Sequence, residues 1–533
     1  MRLLDQRPPK WRRSTDCTTV LPLKAPAPSR AGSPDSMSSL SAYPRRYKRL
    51  FTAAVLVLSI GGLFYTFGST PTGHAAMQIE TLVEDFVSGE SNPNPPLYEK
   101  WHEAELAMPQ HDPDLPYPEG KEGRYFWAPN HVHASGWGNA MQELILNAHL
   151  SYVAKRTYVF DNYTWSRDLS QEYSDFNGKL IPSRIPLTAL VGGPIVGDSW
   201  PKGELAPRAV RKEFFDQVCP ERTVIHGQEV VSSLPSEAPA SQVLQAWMDK
   251  LNSIEDRCVE IDISSAQIFE IWIFGTKRVL DIWPSLRVSP VMTQFHWSPL
   301  VHSAVELNSH LFTTTTFLSS LLSSFPLISS YFQTNYNPTL LAQYKPIPGL
   351  LALHIRRGDF VDHCHHLAKW SSQYNGFNSF PDLPDKFEAP PGGGWGETTP
   401  ENDAIYIQHC FPSIAQIVER VSQVRNDEQV RLRRRGGGLK SVFIMTNGRK
   451  EWVDELKEAL RRRGVEERRE WENVASSRDL VLNREQKGIA QSVDMVVGQR
   501  AQVIIGNGFS SLTSNIVMLR MANGIHPDTN RFW

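Results

Sequence analysis

From Pro346 onward the chain alternates short apolar runs with longer amphipathic ones. Leu350–Ile355 reads as a buried strand, Ala404–Val424 as an amphipathic helix and Ser441–Met445 as a strand. Glu451–Arg463 reads as a helix stopped by Gly464. Leu480–Leu482 is predicted as a short strand, Glu485–Val497 as a helix and Gln502–Ile505 as a strand. A last helix, Ser510–Ala522, is entered through Gly506-Asn507-Gly508 and closed by Asn523-Gly524. Upstream, Met141, Leu144, Ile145 and Ala148 share one face of a helix predicted over Asn139–Ala154, and Thr157–Phe160 follows as a strand. Between 165 and 345 the pattern is mixed. Ile268–Ile282 reads as a strand–helix pair, and Ser298–Phe325 as helical at least in part. Strands alternating with helices imply a parallel sheet covered on both faces, hence an α/β fold. Two insertions interrupt the alternation: a long loop at 371–402 and a basic, flexible turn at Leu432–Gly438. No internal repeat is present.

The N-terminal part follows another pattern. Residues 1–49 are rich in Pro, Ser and Arg and read as a disordered tail. Leu50–Ser69 holds no charged residue, and a helix of that length spans about 30 Å, the apolar thickness of a bilayer. Arg45, Arg46, Lys48 and Arg49 precede it, and no Lys or Arg follows until Lys100. The positive-inside rule therefore predicts a single-pass type II membrane protein with a cytosolic tail and a large lumenal part, in Golgi or endoplasmic reticulum. Residues 70–120, with Pro-rich stretches, read as a stalk. The remainder divides into an N-terminal domain at 121–345 and a C-terminal domain at 346–533. Of the five cysteines, Cys17 falls on the cytosolic side. Cys219, Cys258, Cys364 and Cys410 fall in a compartment where disulfides persist, with three pairings open. Asn162-Tyr163-Thr164 is a glycosylation triplet. With 55 basic against 57 acidic residues, whole-chain charge points to no nucleic-acid partner.

Three segments are built for a polyanion. Leu351–Phe360 is an apolar strand ending in His354-Ile355-Arg356-Arg357-Gly358-Asp359, and ligands of open α/β sheets bind beyond the carboxyl ends of strands. A guanidinium fork there matches phosphate oxygens bidentately. Ser135-Gly136-Trp137-Gly138-Asn139 opens the first helix, and Ile505-Gly506-Asn507-Gly508-Phe509-Ser510-Ser511-Leu512-Thr513 opens the last. Glycines at a helix start let backbone N–H groups approach an anion that the helix dipole favours. Together the three segments imply a diphosphate-linked donor lying in a cleft. Asp362-His363-Cys364-His365-His366 has the residue types of a metal site. Its members are adjacent, however, and no second cluster has ligand spacing, so it reads as a charged loop.

His354–Phe360 resembles the His-x-Arg-Arg-x-Asp segment of GDP-fucose-dependent fucosyltransferases, most closely the protein O-fucosyltransferase family with its fungal-type, type II membrane members. Gly136–Asn139 resembles that family's Gly-x-Gly-Asn loop, and Val493-Asp494 through Ser511 its C-terminal nucleotide block. The resemblance covers roughly 124–525 and implies a GT-B-like arrangement, two Rossmann-like domains facing across a cleft. It also implies metal-independent, inverting transfer of fucose from GDP-fucose to a protein or glycan hydroxyl. The partners are then a GDP-sugar donor, that acceptor and the membrane, with no cofactor beyond the donor. The resemblance places Arg356 on the β-phosphate and His354 near guanine and ribose. Asp494 would read the guanine edge, and Ser510, Ser511 and Thr513 the phosphate oxygens. Gly136 and Gly138 would lie in the donor loop, and Asn139 beside the acceptor hydroxyl. Arg357 and Asp359 brace the loop in this reading. Where some members carry a glutamate base, this chain has Trp137. Glu143, one helical turn past Asn139, reads as a helix-surface residue, which leaves the base open. Two alternatives also stay open: a transferase for another nucleotide sugar, and a catalytically silent, membrane-anchored binding protein.

Overall fold

A computed structural model describes residues 94–176, 178–313, 344–432 and 438–533. The predicted tail, anchor and first part of the stalk lie outside them, as do 314–325 and most of the basic turn. Among the described residues no helix is long and apolar enough to cross a membrane.

The rest of the predicted stalk is packed into the folded body. Helix α1 (Glu99–Leu106) is preceded by Tyr98, which is buried and donates from its hydroxyl to the Glu485 carbonyl at 2.7 Å. Glu105 is buried, accepts two hydrogen bonds from Thr188 at 2.9 Å and pairs with Arg211 at 3.0 Å. Proline-rich composition signals the lack of regular structure, and here two anchoring side chains supply the packing instead.

The first parallel sheet is built from β1 (Tyr125–Trp127), β2 (Thr157–Phe160), β3 (Val210–Arg211), β4 (Thr223–Ile225) and β5 (Cys258–Ile261), in the order β3-β2-β1-β5-β4. Helix α2 (Trp137–Val153) links β1 to β2 and is buried on nearly every side. Ile268–Ile282 contains no strand; it forms short helical turns at Ile271–Phe274 and Lys277–Ile282. A helix does form at Pro299–Leu307.

The second sheet begins with β6 (Ile347–Ile355), whose apolar run is explained by burial on both faces, as in any central parallel strand. Leu350 and Ala352 face one core cluster, while Leu351, Leu353 and Ile355 face another. Helix α3 (Phe360–Lys369) follows, so the His-rich segment 362–366 is helical and not a loop. The predicted helix 404–424 is two helices, α4 (Pro400–Cys410) and α5 (Ile414–Arg431). Pro412 cannot donate to a helical ladder, and Ser413 caps the second helix. Then come β7 (Ser441–Thr446) and α6 (Lys450–Glu466), which runs through Gly464. The next strand is β8 (Asn473–Ser476), not Leu480–Leu482. The helix predicted over 485–497 is divided into Arg484–Gly488 and α7 (Ala490–Arg500), followed by β9 (Ala501–Gly506), α8 (Ser511–Ala522) and β10 (Asn530–Phe532). The strand order is β8-β7-β6-β9-β10, all parallel. The chain steps outward from β6, then returns to its other side at β9. The switch point between β6 and β9 is where such sheets hold ligands.

Disulfides join Cys219 to Cys258 and Cys364 to Cys410, the second tying α3 to α4. The 371–402 insertion is folded, with Phe377, Phe380 and Phe387 buried. Asn162 is 8% exposed and hydrogen-bonded to Asp161 and Arg211, so the triplet leaves no room for a glycan in the folded protein.

Arg520 locks the second sheet. It is fully buried and donates to the Gly498, Gln499 and Ala501 carbonyls, to Asn530 Oδ1 at 2.6 Å and to Thr529 Oγ1 at 2.8 Å. The Gly498 and Gln499 carbonyls end α7, where a cation is favourable. Arg520→Met would orphan several buried acceptors at once, and each unmade bond costs about 1–3 kcal/mol. The expected outcome is a stability loss of about 3 kcal/mol or more, read from the urea unfolding midpoint.

Candidate functional site

The three glycine-bearing segments meet at this switch point. β6 delivers His354 and Arg356 at its carboxyl end, with Leu353 paired to Ile505 of β9. The first turns of α2 and α8 abut. A Cβ on Gly138 would stand 2.6 Å from Ser511 Oγ and 2.7 Å from the Leu512 nitrogen, so only glycine permits this approach. Asn515 Nδ2 donates to the Gly138 carbonyl at 2.7 Å, and Gln142 Nε2 to Ser514 Oγ at 2.7 Å. Neither helix is capped by a side chain: Gly136 and Ser510 hold the N-cap positions without a capping bond. Two uncapped N-termini side by side add their positive dipole ends.

His354 is buried, and its Nδ1 is 2.7 Å from Thr513 Oγ1 in the first turn of α8. Burial, reinforced by Arg356, pushes its ring down to about 3, so the imidazole is neutral. Thr513 therefore orients His354, and its hydroxyl is already engaged. The Arg356 guanidinium lies over the Phe360 ring at 4.4 Å, and its Nε is buried without a hydrogen-bond partner. It is a stacked, oriented donor. Arg357 differs: it is sandwiched between Phe411 and Trp452 at 4.3 and 4.1 Å and donates to the Pro412 carbonyl. Asn447 grips its backbone on both sides, at 2.7 and 2.9 Å.

Asp494 stands apart from this cluster. Both its oxygens are 2.9 Å from Ser477 Oγ, which also accepts from the Thr446 nitrogen at the end of β7. Burial raises its carboxyl to about 7, against the opposing pull of its Ser477 hydrogen bond and of Arg478. It is thus tied to the strand next to β6 without bonding to the other candidates. Asn139 is half-buried, and its Nδ2 donates to Ser135 Oγ at 3.0 Å. Glu143 is not on a surface. It is 1% exposed because α2 is enclosed on nearly every side.

Several supporting residues have no sequence signal. Trp533 Nε1 donates to the His354 carbonyl at 2.9 Å. Asn378, from the 371–402 insertion, donates to the Gly508 and Ser510 carbonyls at 2.8 and 3.2 Å, and the Phe377 nitrogen donates to Ser514 Oγ at 3.0 Å. The insertion thus buttresses the glycine turn. Their residue types are generic and their targets lie far away in the chain. Among the described residues no group of three or more His, Cys, Asp or Glu is placed to hold a metal ion.

No protein-family model matches the chain, and no curated protein does. Among solved structures it is similar to POFUT1 in complex with GDP-fucose, at 14% identity over 77% of this chain and 98% of that one, with a TM-score of 0.42. It is also similar to the NodZ alpha-1,6-fucosyltransferase soaked with GDP-fucose, an enzyme solved from Bradyrhizobium, at 10% identity over 74% and 92%, TM-score 0.32. A third similarity is to a mutant of Arabidopsis thaliana FUT1 in complex with GDP, at 10% identity over 85% and 78%, TM-score 0.31. These are mixed α/β similarities, and their size assigns neither a family nor an activity to the chain.

Proposed function

We propose that the chain is a fucosyltransferase, passing fucose from GDP-fucose to a protein or glycan hydroxyl with inversion at C1 and without a metal. The observation that carries this reading is the convergence of Arg356, stacked on Phe360 with its Nε free of hydrogen bonds, with two uncapped helix N-termini at the switch point of a parallel sheet. That arrangement suits a diphosphate leaving group. In this reading Arg356 holds the β-phosphate, and Ser510, Ser511 and the backbone around Gly136 and Gly138 hold the remaining phosphate oxygens. His354, set by Thr513, faces guanine and ribose, and Asp494 takes the guanine N–H groups. Asn139 orients the acceptor hydroxyl. That oxygen attacks C1 as the bond to GDP breaks, and the developing charge on the β-phosphate meets Arg356. The two disulfides fit the oxidising lumen that the anchor at 50–69 implies, with the catalytic part lumenal in Golgi or endoplasmic reticulum.

A donor panel tests the donor: release of the nucleoside diphosphate is expected with GDP-fucose and not with GDP-mannose, nor with UDP- or ADP-sugars. The state of Asp494 supplies a second test. Its carboxyl titrates near 7 in the free protein, and guanine N–H donors require it ionised. Binding below that pH must expel a proton, so GDP-fucose affinity should fall about 10-fold from pH 8 to pH 6. Asp494→Asn should bind more weakly and lose that dependence in calorimetry.

A further inference from the structure

The transferase reading leaves the acceptor's proton without a destination, and the interior of α2 provides one. We infer that Glu143 is the proton acceptor for the attacking hydroxyl, working through the small cavity that it lines. This rests on the reading above.

Asn139 and Glu143 are one turn apart on α2, where i, i+4 side chains lie about 5–6 Å from each other at Cβ. Both run toward the same loop: Asn139 Nδ2 reaches Ser135 Oγ at 3.0 Å, and the Val132 nitrogen donates to Glu143 Oε2. One carboxyl oxygen is thereby fixed. The other, Oε1, is buried and completes no hydrogen bond, although Asn147 stands near enough to favour the ionised form. Glu143 lines a cavity of about 30 Å³ beyond the carboxyl ends of β1 and β2, shared with Trp137, Asn147, His131, Tyr158 and Asp161. Two more buried polar atoms around this cavity, Trp137 Nε1 and Asn147 Oδ1, also lack partners. A water needs about 10–15 Å³ and two to four polar contacts, so the cavity suits one or two waters linking Glu143 to the loop.

The electrostatics agree with the geometry. Burial pushes the carboxyl up to about 8, opposed by the Val132 hydrogen bond, Arg167 and Asn147. A base that titrates near the working pH is the most effective kind. His131 is held neutral by burial. The nearby Asp161 is occupied, since its Oδ1 accepts from the Asn162 nitrogen at 2.7 Å and lies 3.6 Å from Arg211. In the step itself the acceptor O–H gives its proton to a cavity water, which passes one of its own to Glu143 Oε1. The freed oxygen pair forms the new bond to C1, and the C1–O pair departs with GDP.

The experiment uses the full chain with water as acceptor and GDP-fucose saturating at every pH, so that the Asp494-linked change in affinity does not enter, following GDP release from pH 6 to 9. The wild-type rate should rise about tenfold per pH unit and level off above about 8, since only the ionised carboxylate accepts a proton. In Glu143→Gln the amide oxygen still accepts the Val132 N–H, which keeps the loop in place. Its rate should fall by at least about 100-fold and lose the pH rise, with GDP-fucose affinity within threefold by calorimetry. Glu143→Asp should recover part of the pH-dependent rate. The proposal is overturned if Glu143→Gln turns over at the wild-type rate, keeps the rise, or loses affinity along with rate. If the wild type releases GDP and Glu143→Gln does so equally, the proton-acceptor role alone fails. If the wild type releases no GDP, or binds no GDP-fucose, the transferase reading fails as well.

Discussion

Replacing Arg356 with alanine is expected to lower fucosyl transfer about 100- to 1,000-fold, the range for removing one preorganised charge from a developing anion. Two features make the effect large. The guanidinium is held over Phe360 and is half-buried, so it loses little entropy on binding and acts where water screens poorly. Lysine at 356 should recover only part of the rate, because a point charge replaces a planar fork. Arg357→Ala should behave differently. Its guanidinium is enclosed by Phe411 and Trp452, so the loss should appear in thermal stability while GDP still binds. Rate measurements on the first pair and a thermal melt with GDP titration on the third separate clamp from brace.

Gly138→Ala is expected to disable the site without touching a charged residue. The new methyl would meet Ser511 Oγ at 2.6 Å and the Leu512 nitrogen at 2.7 Å, and the second of these is backbone. A side chain can rotate away, but the start of α8 cannot without moving the helix. Overpacking of this kind costs about 1–3 kcal/mol. The separation also loosens the Asn515–Gly138 and Gln142–Ser514 bonds that hold the two N-termini together. Misplacing reacting groups by about 1 Å costs about 100-fold in rate. Gly136→Ala is the matched comparison: its Cβ would meet nothing within 4 Å and its backbone is extended, so the melting temperature should be unchanged. Melting curves and GDP-release rates of the two variants test this.

Much of the second sheet was legible because its central strands are buried on both faces. Leu350–Ile355 and Gln502–Ile505 therefore announce themselves as unbroken apolar runs. Helix limits were less legible. The amphipathic pattern of 404–424 continues across Pro412, and the Gly464 stop signal is overridden by packing that buries it within α6. The stretch 94–120 reads as a linker by composition, although Tyr98 and Glu105 bind it to the body. In the site, residues at strand–glycine–helix junctions could be found, because the turn itself demands recognisable chemistry. Trp533, Asn378 and Ser477 could not. Each acts through hydrogen bonds to partners that only the tertiary fold brings close. The sequence puts Glu143 on a helix surface, whereas the folded helix buries it. Periodicity identifies one buried face, whereas α2 is covered by the sheet and also by α8.

Arg356 and the two abutting helix N-termini are proposed to form a GDP-fucose site, which isothermal titration of GDP-fucose into the full-length protein in EDTA can decide. Saturable one-site binding is expected, abolished in Arg356→Ala and retained in Arg357→Ala. Absence of binding heat in the wild type, or equal affinity in Arg356→Ala, would contradict it.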